Sequence, residues 1–283
     1  MHPQKKPAVL GSVMFDRLRR DLEVLLSWHK DKHHWEEPLG EVFALRDSQK
    51  GQKLLIIANG PSAEYLPDGF STDFRKSGGK VMAMNWAHLN PIASAGLVDY
   101  YVCADRRMIE NNQKSQQLHA FLRSQQDLIG FVPEFRLEQW RNAIAEVSFV
   151  PFCHYYVRFL RPPHWKLSPH KPKAFTSQTG LHSLQMATWM GFEPIFIIGF
   201  DNSHFQNFTL DRENSITLMQ THAGEDPEAS NLKTTDTATY LERQADLFRD
   251  YWRFSDSKIF NLDGASLTDA FQKVPANQAL SPT

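Results

Sequence analysis

The fold is decided by residues 54–67, which read LLIIANGPSAEYLP. An apolar run of the kind that is buried on both faces ends in Asn-Gly-Pro-Ser, and a helix-like segment follows. In a parallel sheet covered by helices, such a turn lies at the carboxyl end of a strand, where ligands bind. Two interpretations are open at this point: an ordinary strand–turn–helix joint, or a backbone cradle for a phosphate.

Similar apolar runs recur along the chain on both sides of this stretch. The predicted strands are residues 53–58, 80–85, 98–104, 128–133, 147–152, 194–200 and 258–262. Several of them are apolar at every position, and helical stretches separate them. This alternation predicts an α/β fold, a Rossmann-like doubly wound sheet that is mainly parallel.

The domain organisation follows from the segments outside this rhythm. A helical extension is predicted over residues 1–50, the Rossmann-like domain over residues 51–271 and a loose tail over residues 272–283. Residues 202–236 are polar and show little periodicity. Long irregular segments inside compact domains are often lids, so this stretch is predicted to be an inserted lid.

The extension contains an amphipathic pattern over residues 10–30, where apolar residues recur at helical spacing: Met14, Leu18, Leu22, Leu25 and Leu26. The favoured interpretation is a helix packed on the main domain. A peripheral contact with a membrane surface stays open because basic residues lie beside the stripe: Arg17, Arg19 and Arg20.

Composition excludes several classes of protein. The 283 residues carry 31 Lys and Arg against 32 Asp and Glu, a net charge of -1 that gives no global attraction to nucleic acid. The longest apolar run, IFIIGF, is too short to span a membrane. Cys103 and Cys153 are interpreted as free thiols in a reducing compartment, and no signal peptide opens the chain, so a cytoplasmic protein is expected.

Polar residues follow the first three predicted strands. The first strand leads into Asn59, Gly60, Pro61 and Ser62, where Gly60 permits close backbone approach and Ser62 is predicted to cap the next helix. The second and third strands lead into Asn85, Asp105, Arg106 and Arg107. The two arginines are candidates for binding a phosphate.

A second unit of the same kind spans residues 177–203. Thr179 is predicted to cap a helix that Gly191 ends in a left-handed conformation. The start of this helix presents Gln178, Thr179 and Gly180, and the strand after it delivers Gly199 and Asp201. Both positions favour a phosphorylated or hydroxyl-rich ligand.

Together these motifs resemble a known pattern: Asn-Gly-Pro-Ser after the first strand, Asn after the second, and TG-x10-GF-x6-GFD over residues 179–201. The pattern is similar to that of the bacterial sialyltransferases of the Cst type, which use a CMP-activated sugar donor. It equally resembles the MptE-like family, which includes an archaeal 6-hydroxymethylpterin diphosphokinase and flagellin-glycosylation proteins. The resemblance covers about residues 53–270.

The sialyltransferase resemblance implies a role for each matching residue. The nucleotide and the donor phosphate and sugar would be held by the turn and strand-end residues above, together with Ser266. The general base of that family would correspond to His222, in the loop before Thr235, with His204 as the reserve candidate. The chain departs from the family at Ala58 and Thr176 and directly after Asp201, so the identity of the sugar stays open.

Three functions are therefore weighed. The favoured one is a metal-independent glycosyltransferase of surface-glycan synthesis with no cofactor, because no Asp-x-Asp occurs and the histidines lack zinc spacing. Its partners would be a nucleotide-sugar donor and a glycan or small-molecule acceptor. The alternative is a diphosphokinase that transfers pyrophosphate from ATP to a pterin, with Mg²⁺ on Asp105, Asp201 or Asp226. The third is a non-catalytic nucleotide- or carbohydrate-binding protein.

Overall fold

The computed structural model describes residues 10–110, 112–157, 168–203, 206, 208–210, 212, 216–219, 231–234 and 237–281. Its strands are β1 (Leu54–Ile57), β2 (Lys80–Met84), β3 (Tyr100–Val102), β4 (Ile129–Pro133), β5 (Ser148–Phe152), β6 (Ile195–Ile198), β7 (Phe208–Leu210), β8 (Ile216–Met219), β9 (Asn231–Thr234), β10 (Ile259–Asn261) and β11 (Gln272–Lys273). Its α-helices are α1 (Leu10–Ala44), α2 (Phe70–Lys76), α3 (Pro91–Ser94), α4 (Gln113–Ser124), α5 (Leu137–Ala143), α6 (Thr179–Trp189), α7 (Thr237–Tyr251) and α8 (Ala276–Ala279).

The main sheet has eight strands in the order β11-β10-β6-β1-β2-β3-β4-β5, and every neighbouring pair is parallel. All seven strands predicted from the sequence are present, so the doubly wound fold is confirmed. The chain runs from β1 outward to β5 and then returns to place β6 on the other side of β1. The strand order therefore reverses at β1, which has β2 on one side and β6 on the other. Ligands bind at such a reversal in doubly wound sheets.

Alternate residues of the strands supply two separate hydrophobic cores. Leu55 and Ile57 of β1 belong to the core on one face of the sheet. Leu54 and Ile56 belong to the core on the other face, where α6 contributes Leu181 and other apolar side chains. Because both faces are covered, every residue of β1 is buried, which explains its continuous apolar sequence.

Helix α1 extends beyond residue 30 to Ala44 and packs on the main domain through its C-terminal part, where Val42 is buried. The predicted apolar stripe does not carry this packing, because Leu22 and Leu26 are 48% and 62% exposed. Its attachment is polar as well as apolar: Trp189 Nε1 donates to Val42 O at 2.7 Å, and Tyr155 donates its hydroxyl to Asp31 at 2.8 Å. Across the described helices, none combines the length and the apolar character needed to cross a membrane.

The end of the chain differs from the predicted loose tail. β11 adds an edge strand beside β10, α8 follows it, and Val274 and Ala279 are buried. The buried ammonium of Lys53 donates to the carbonyls of Ala279 at 3.1 Å and Ser281 at 2.8 Å. A partner more than two hundred residues away in the chain orders this segment, so no local pattern could indicate it.

The predicted lid is partly regular. β7, β8 and β9 form a three-stranded antiparallel sheet, and Phe208 packs edge-on against Tyr240 of α7 with ring centroids 5.1 Å apart. The expectation of an irregular segment is wrong for these three strands. The rest of residues 204–236 lies outside the described residues apart from Gln206 and Arg212. Closure of the lid over a ligand stays a prediction.

Candidate active site

An open cleft lies at the carboxyl ends of β1, β2, β3 and β6, at the reversal of strand order. Most of the residues that the sequence singles out contribute to it. Its lining residues are Ala58, Asn59, Gly60, Met84, Asn85, Trp86, Asp105, Arg107, Gln178, Thr179, Gly180, Gly199, Phe200, Asp201, Asn202 and Tyr251. Side chains that are far apart in the chain thus line one cleft. The sequence predicts only that they share one edge of the sheet.

Two glycines allow the ends of β1 and β6 to touch at the floor of the cleft. A Cβ atom on Gly60 would overlap the Asp201 carboxylate and lie 2.5 Å from Gly199 O. Gly199 has φ +77°, and a Cβ there would lie 2.6 Å from Ala58 O. The close approach expected of Gly60 is therefore made first to the protein's own β6 end.

Asn59 carries a polar atom that the fold does not use. Its Oδ1 is buried and has no hydrogen-bond partner among the described residues. Asn59 also lines the cleft. Since buried polar atoms are nearly always paired in folded proteins, an unpaired acceptor at a cleft is suited to a donor group of a ligand.

Asp201 occupies the amide that the cradle interpretation reserves for a phosphate. Ser62 N donates to Asp201 Oδ1 at 3.1 Å and Ser62 Oγ donates to Oδ2 at 2.9 Å. Burial raises the pKa of Asp201, and the bonds from Ser62 oppose that rise. The short 3-10 helix Pro61–Tyr65 has Gly60 at its N-cap, so the predicted capping role of Ser62 is wrong. Pro61 and Ser62 do not appear in the lining of the cleft.

Asn85 connects β2 to the start of α6. Its Nδ2 donates to Thr179 Oγ1 at 2.8 Å, and its Oδ1 accepts from Ala104 N at 3.3 Å. The residue has φ +46°, which turns the chain sharply after the strand. Gln178 occupies the N-cap of α6 without a side-chain bond, so the predicted cap at Thr179 is wrong. Thr179 instead is the first helical residue, held by Asn85, and Gly191 ends the helix with φ +82° as predicted.

Asp105 and Arg107 form a chelated pair at the rim. Arg107 Nε donates to both carboxylate oxygens of Asp105, at 3.2 and 3.0 Å, and Nη2 donates to Oδ2 at 2.5 Å. Burial pushes the pKa of Asp105 up, but the bonds and charge of Arg107 outweigh it and leave the pKa lowered. Of the two arginines predicted as phosphate candidates, Arg107 lines the cleft and Arg106 is not among its lining residues.

The sequence places Asn202 at the strand end but assigns no binding role to part of the cleft wall, which includes Trp86, Asn202 and Tyr251. Asn202, at φ +50°, donates its Nδ2 to Phe200 O at 3.0 Å and to the hydroxyl of Tyr251 at 3.1 Å. Tyr251 comes from α7, far along the chain, and no local motif marks it. Trp86 could have been identified from its position in the sequence, because it directly follows Asn85. Ser266 is buried and donates to Phe200 O at 3.0 Å, which places it behind the wall.

The residues predicted for acid–base chemistry, His222 and His204, lie outside the described residues, as does Asp226.

A different histidine cluster lies at the same sheet edge. The hydroxyl of Tyr156 is 3.0 Å from His154 Nδ1 and 2.6 Å from His182 Nε2. Burial lowers the pKa of His154 to about 4 and lowers the pKa of His182 well below its ordinary value, with the nearby Lys173 acting in the same direction. Both imidazoles are therefore neutral at pH 7.

Comparisons with known proteins support the fold. No protein-family model and no curated protein matches this chain. One similar solved structure is the MAf glycosyltransferase from Magnetospirillum magneticum AMB-1, with 10% sequence identity and a TM-score of 0.50. The match covers 86% of this chain and 38% of that one, so this chain spans well under half of its length.

Proposed function

We propose that this protein is a glycosyltransferase that binds a nucleotide-activated sugar, with a CMP-sugar as the favoured donor and a glycan or small molecule as the acceptor. One observation carries the proposal: a single cleft at the strand-order reversal gathers Asn59, Gly60, Thr179, Gly180 and Asp201. The name of the similar solved structure supports transfer of a sugar as the class of reaction.

The cleft offers groups suited to a nucleotide donor. The first turn of α6 points backbone N–H groups toward the space beside Thr179 and Gly180, and such amides stabilise the charge that develops on a leaving phosphate. Asn59 Oδ1 can accept from a base or sugar donor. We propose His222 as the general base that deprotonates the acceptor hydroxyl, with His204 in reserve.

The state of Asp105 and Asp201, the two described carboxylates of the three that the diphosphokinase alternative names, favours sugar transfer over that alternative. Phosphoryl transfer from ATP needs Mg²⁺ on free carboxylate oxygens. Both oxygens of Asp105 accept from Arg107, and both oxygens of Asp201 accept from Ser62. Releasing either carboxylate to a metal would break charge-assisted or buried hydrogen bonds.

A thermal-shift panel tests the donor class. We expect CMP and CMP-sialic acid to raise the melting temperature without Mg²⁺, because a ligand at about one hundred times its Kd stabilises the folded state by about 2.7 kcal/mol. UDP-sugars, ATP and pterin complete the panel. Stabilisation by ATP alone, and only with Mg²⁺, would support the diphosphokinase. A protein that binds a nucleotide but catalyses neither sugar transfer nor pyrophosphate transfer would support the third function, a non-catalytic binding protein.

The substitution Asn59→Ala tests the role of the unpaired acceptor. We expect it to weaken nucleotide binding by about 1–3 kcal/mol, the cost of leaving a ligand donor without its buried partner. Isothermal titration with the nucleotide found in the panel measures the effect. The matched control is Asn142→Ala, an exposed asparagine of α5. Equal affinity in a folded Asn59→Ala variant would make this turn an ordinary joint.

A further inference from the structure

Two arginines lie at the carboxyl ends of β3 and β4. Arg106 begins the 3-10 turn after β3, and Arg136 ends the 3-10 turn after β4, so both lie at the carboxyl edge of neighbouring strands. Within the described ranges, no carboxylate lies within ion-pair distance of either guanidinium. This contrasts with Arg107, which Asp105 holds.

The two arginines follow β3 and β4, which are neighbouring strands in parallel register, so their turns leave the sheet side by side. Burial lowers the pKa of Arg136, and the charge of Arg106 is the next largest cause, ahead of the weaker attraction from Asp105 and Glu110. Like charges that Asp105 and Glu110 offset only at longer range raise the free energy of the empty site. An anion bound between them would relieve this repulsion with bidentate, charge-assisted hydrogen bonds.

An exposed aromatic ring adjoins the arginines. Phe135, in the 3-10 turn after β4, is 48% exposed. The guanidinium of Arg136 lies 5.3 Å from the centroid of this ring, and the His154 imidazole lies 5.3 Å from it on centroids. A flat apolar surface bordered by polar groups is suited to the apolar face of a sugar ring.

This surface lies along the same sheet edge as the donor cleft. Asp105 lines the cleft and acts electrostatically on Arg136, and Arg136 in turn acts on His154 after β5. The three positions follow β3, β4 and β5 in order along one sheet edge. A ligand on Phe135 would therefore lie beside a donor bound in the cleft, where a transferase must place its acceptor.

We infer that Phe135, Arg106 and Arg136 form the acceptor subsite, and that the acceptor is an acidic sugar whose ring packs on Phe135 and whose anionic oxygens bind the two arginines. This inference rests on the proposed function and names the substrate class of the same site. The anionic group is a carboxylate or a phosphate monoester, which share the oxygen geometry that arginine recognises.

Binding of matched sugars tests the subsite without turnover. Ligand-observed NMR titrations would use methyl glucoside, methyl glucuronide and glucose 6-phosphate, which keep the ring and change the charge. We expect the two acidic sugars to bind about five- to tenfold more tightly than the neutral one. The arm that binds more tightly distinguishes carboxylate from phosphate recognition.

Three variants separate the contributions. The double variant Arg106→Gln/Arg136→Gln should reduce binding of the acidic sugars to the level of methyl glucoside, and Phe135→Ala should weaken all three sugars. Arg249→Gln, an exposed arginine of α7, is the control and should change nothing. Nucleotide affinity should be the same in all of these variants.

Two results would overturn the inference. If acidic sugars bind the double variant and the wild type with equal affinity, the arginines do not recognise the negative charge of the sugar. A loss of nucleotide affinity in that variant equal to the loss for acidic sugars would assign the arginines to the donor. Failure of the proposed function is a separate result, because it would appear as absence of nucleotide binding in the wild type.

Discussion

Replacing Gly60 with Ala is expected to abolish nucleotide binding and to lower the free energy of unfolding by about 3 kcal/mol. The new Cβ would lie 2.5 Å from Gly199 O and 2.7 Å from Asp201 Cγ. The first of these atoms is the backbone oxygen directly after β6, which accepts a hydrogen bond from Gly60 N at 3.0 Å, so it cannot move away without breaking that bond. The β1 and β6 ends would therefore separate, and the cleft floor would open.

Gly264→Ala is the matched control, because nothing lies within 4 Å of the Cβ it would add, although Gly264 also follows a strand of the main sheet. Urea unfolding and nucleotide titration on the two variants measure the difference. A Gly60→Ala protein with wild-type stability and affinity would show that the contact between the two strand ends is dispensable. The double variant Gly60→Ala/Asp201→Ala removes the carboxylate clash and should recover only part of the stability, since the clash with Gly199 O remains.

Much of the fold follows from local sequence rules. Continuous apolar runs identify β1 and β6 because both faces of the sheet are covered, and Gly191 identifies the end of α6 because few other residues adopt its φ of +82°. The same rules place Asn59, Asn85 and Asp201 at one sheet edge. Parallel strands direct their carboxyl ends to the same side, so the location of the cleft can be predicted from the chain alone.

The internal pairing of the site could not be predicted in this way. Ser62 precedes a helical turn, and local rules assign such a hydroxyl to capping. In the folded chain Asp201, more than one hundred residues later, is the stronger acceptor and takes both its hydroxyl and its amide. Asn85 likewise donates a side-chain hydrogen bond to Thr179, which is distant in the sequence. Long-range hydrogen bonds override local capping preferences because a buried carboxylate must be satisfied.

Acid is expected to destabilise the protein through its buried neutral histidines, and His88 gives the clearest case. This residue follows β2, is 7% exposed and packs beside Trp86 and Phe121 with ring centroids 6.0 Å away. Burial, with the charge of Lys114 adding to it, lowers the pKa of His88 from 6.5 to about 4. His154 and His182 are shifted in the same direction.

The sign follows from proton binding. Between pH 6.5 and pH 4 the unfolded chain binds a proton at His88 that the folded chain does not, so stability is complete above pH 6.5 and is lost as the pH falls. The shift in the pKa of His88 corresponds to about 3 kcal/mol at pH 4 and to about 2 kcal/mol at pH 5. Glu134 acts in the opposite sense, because burial raises its pKa to about 7 and its contribution is lost as the pH rises.

The variant His88→Gln isolates this contribution from the others. Urea unfolding at pH 7 and pH 5 should show that the wild type loses about 2 kcal/mol more than the variant between the two pH values. His29→Gln, at an exposed position of α1, controls for removal of one imidazole. If the wild type and His88→Gln lose equal free energy of unfolding, His88 already binds its proton in the folded state. The assignment of a neutral, closely packed imidazole beside Trp86 would then be wrong.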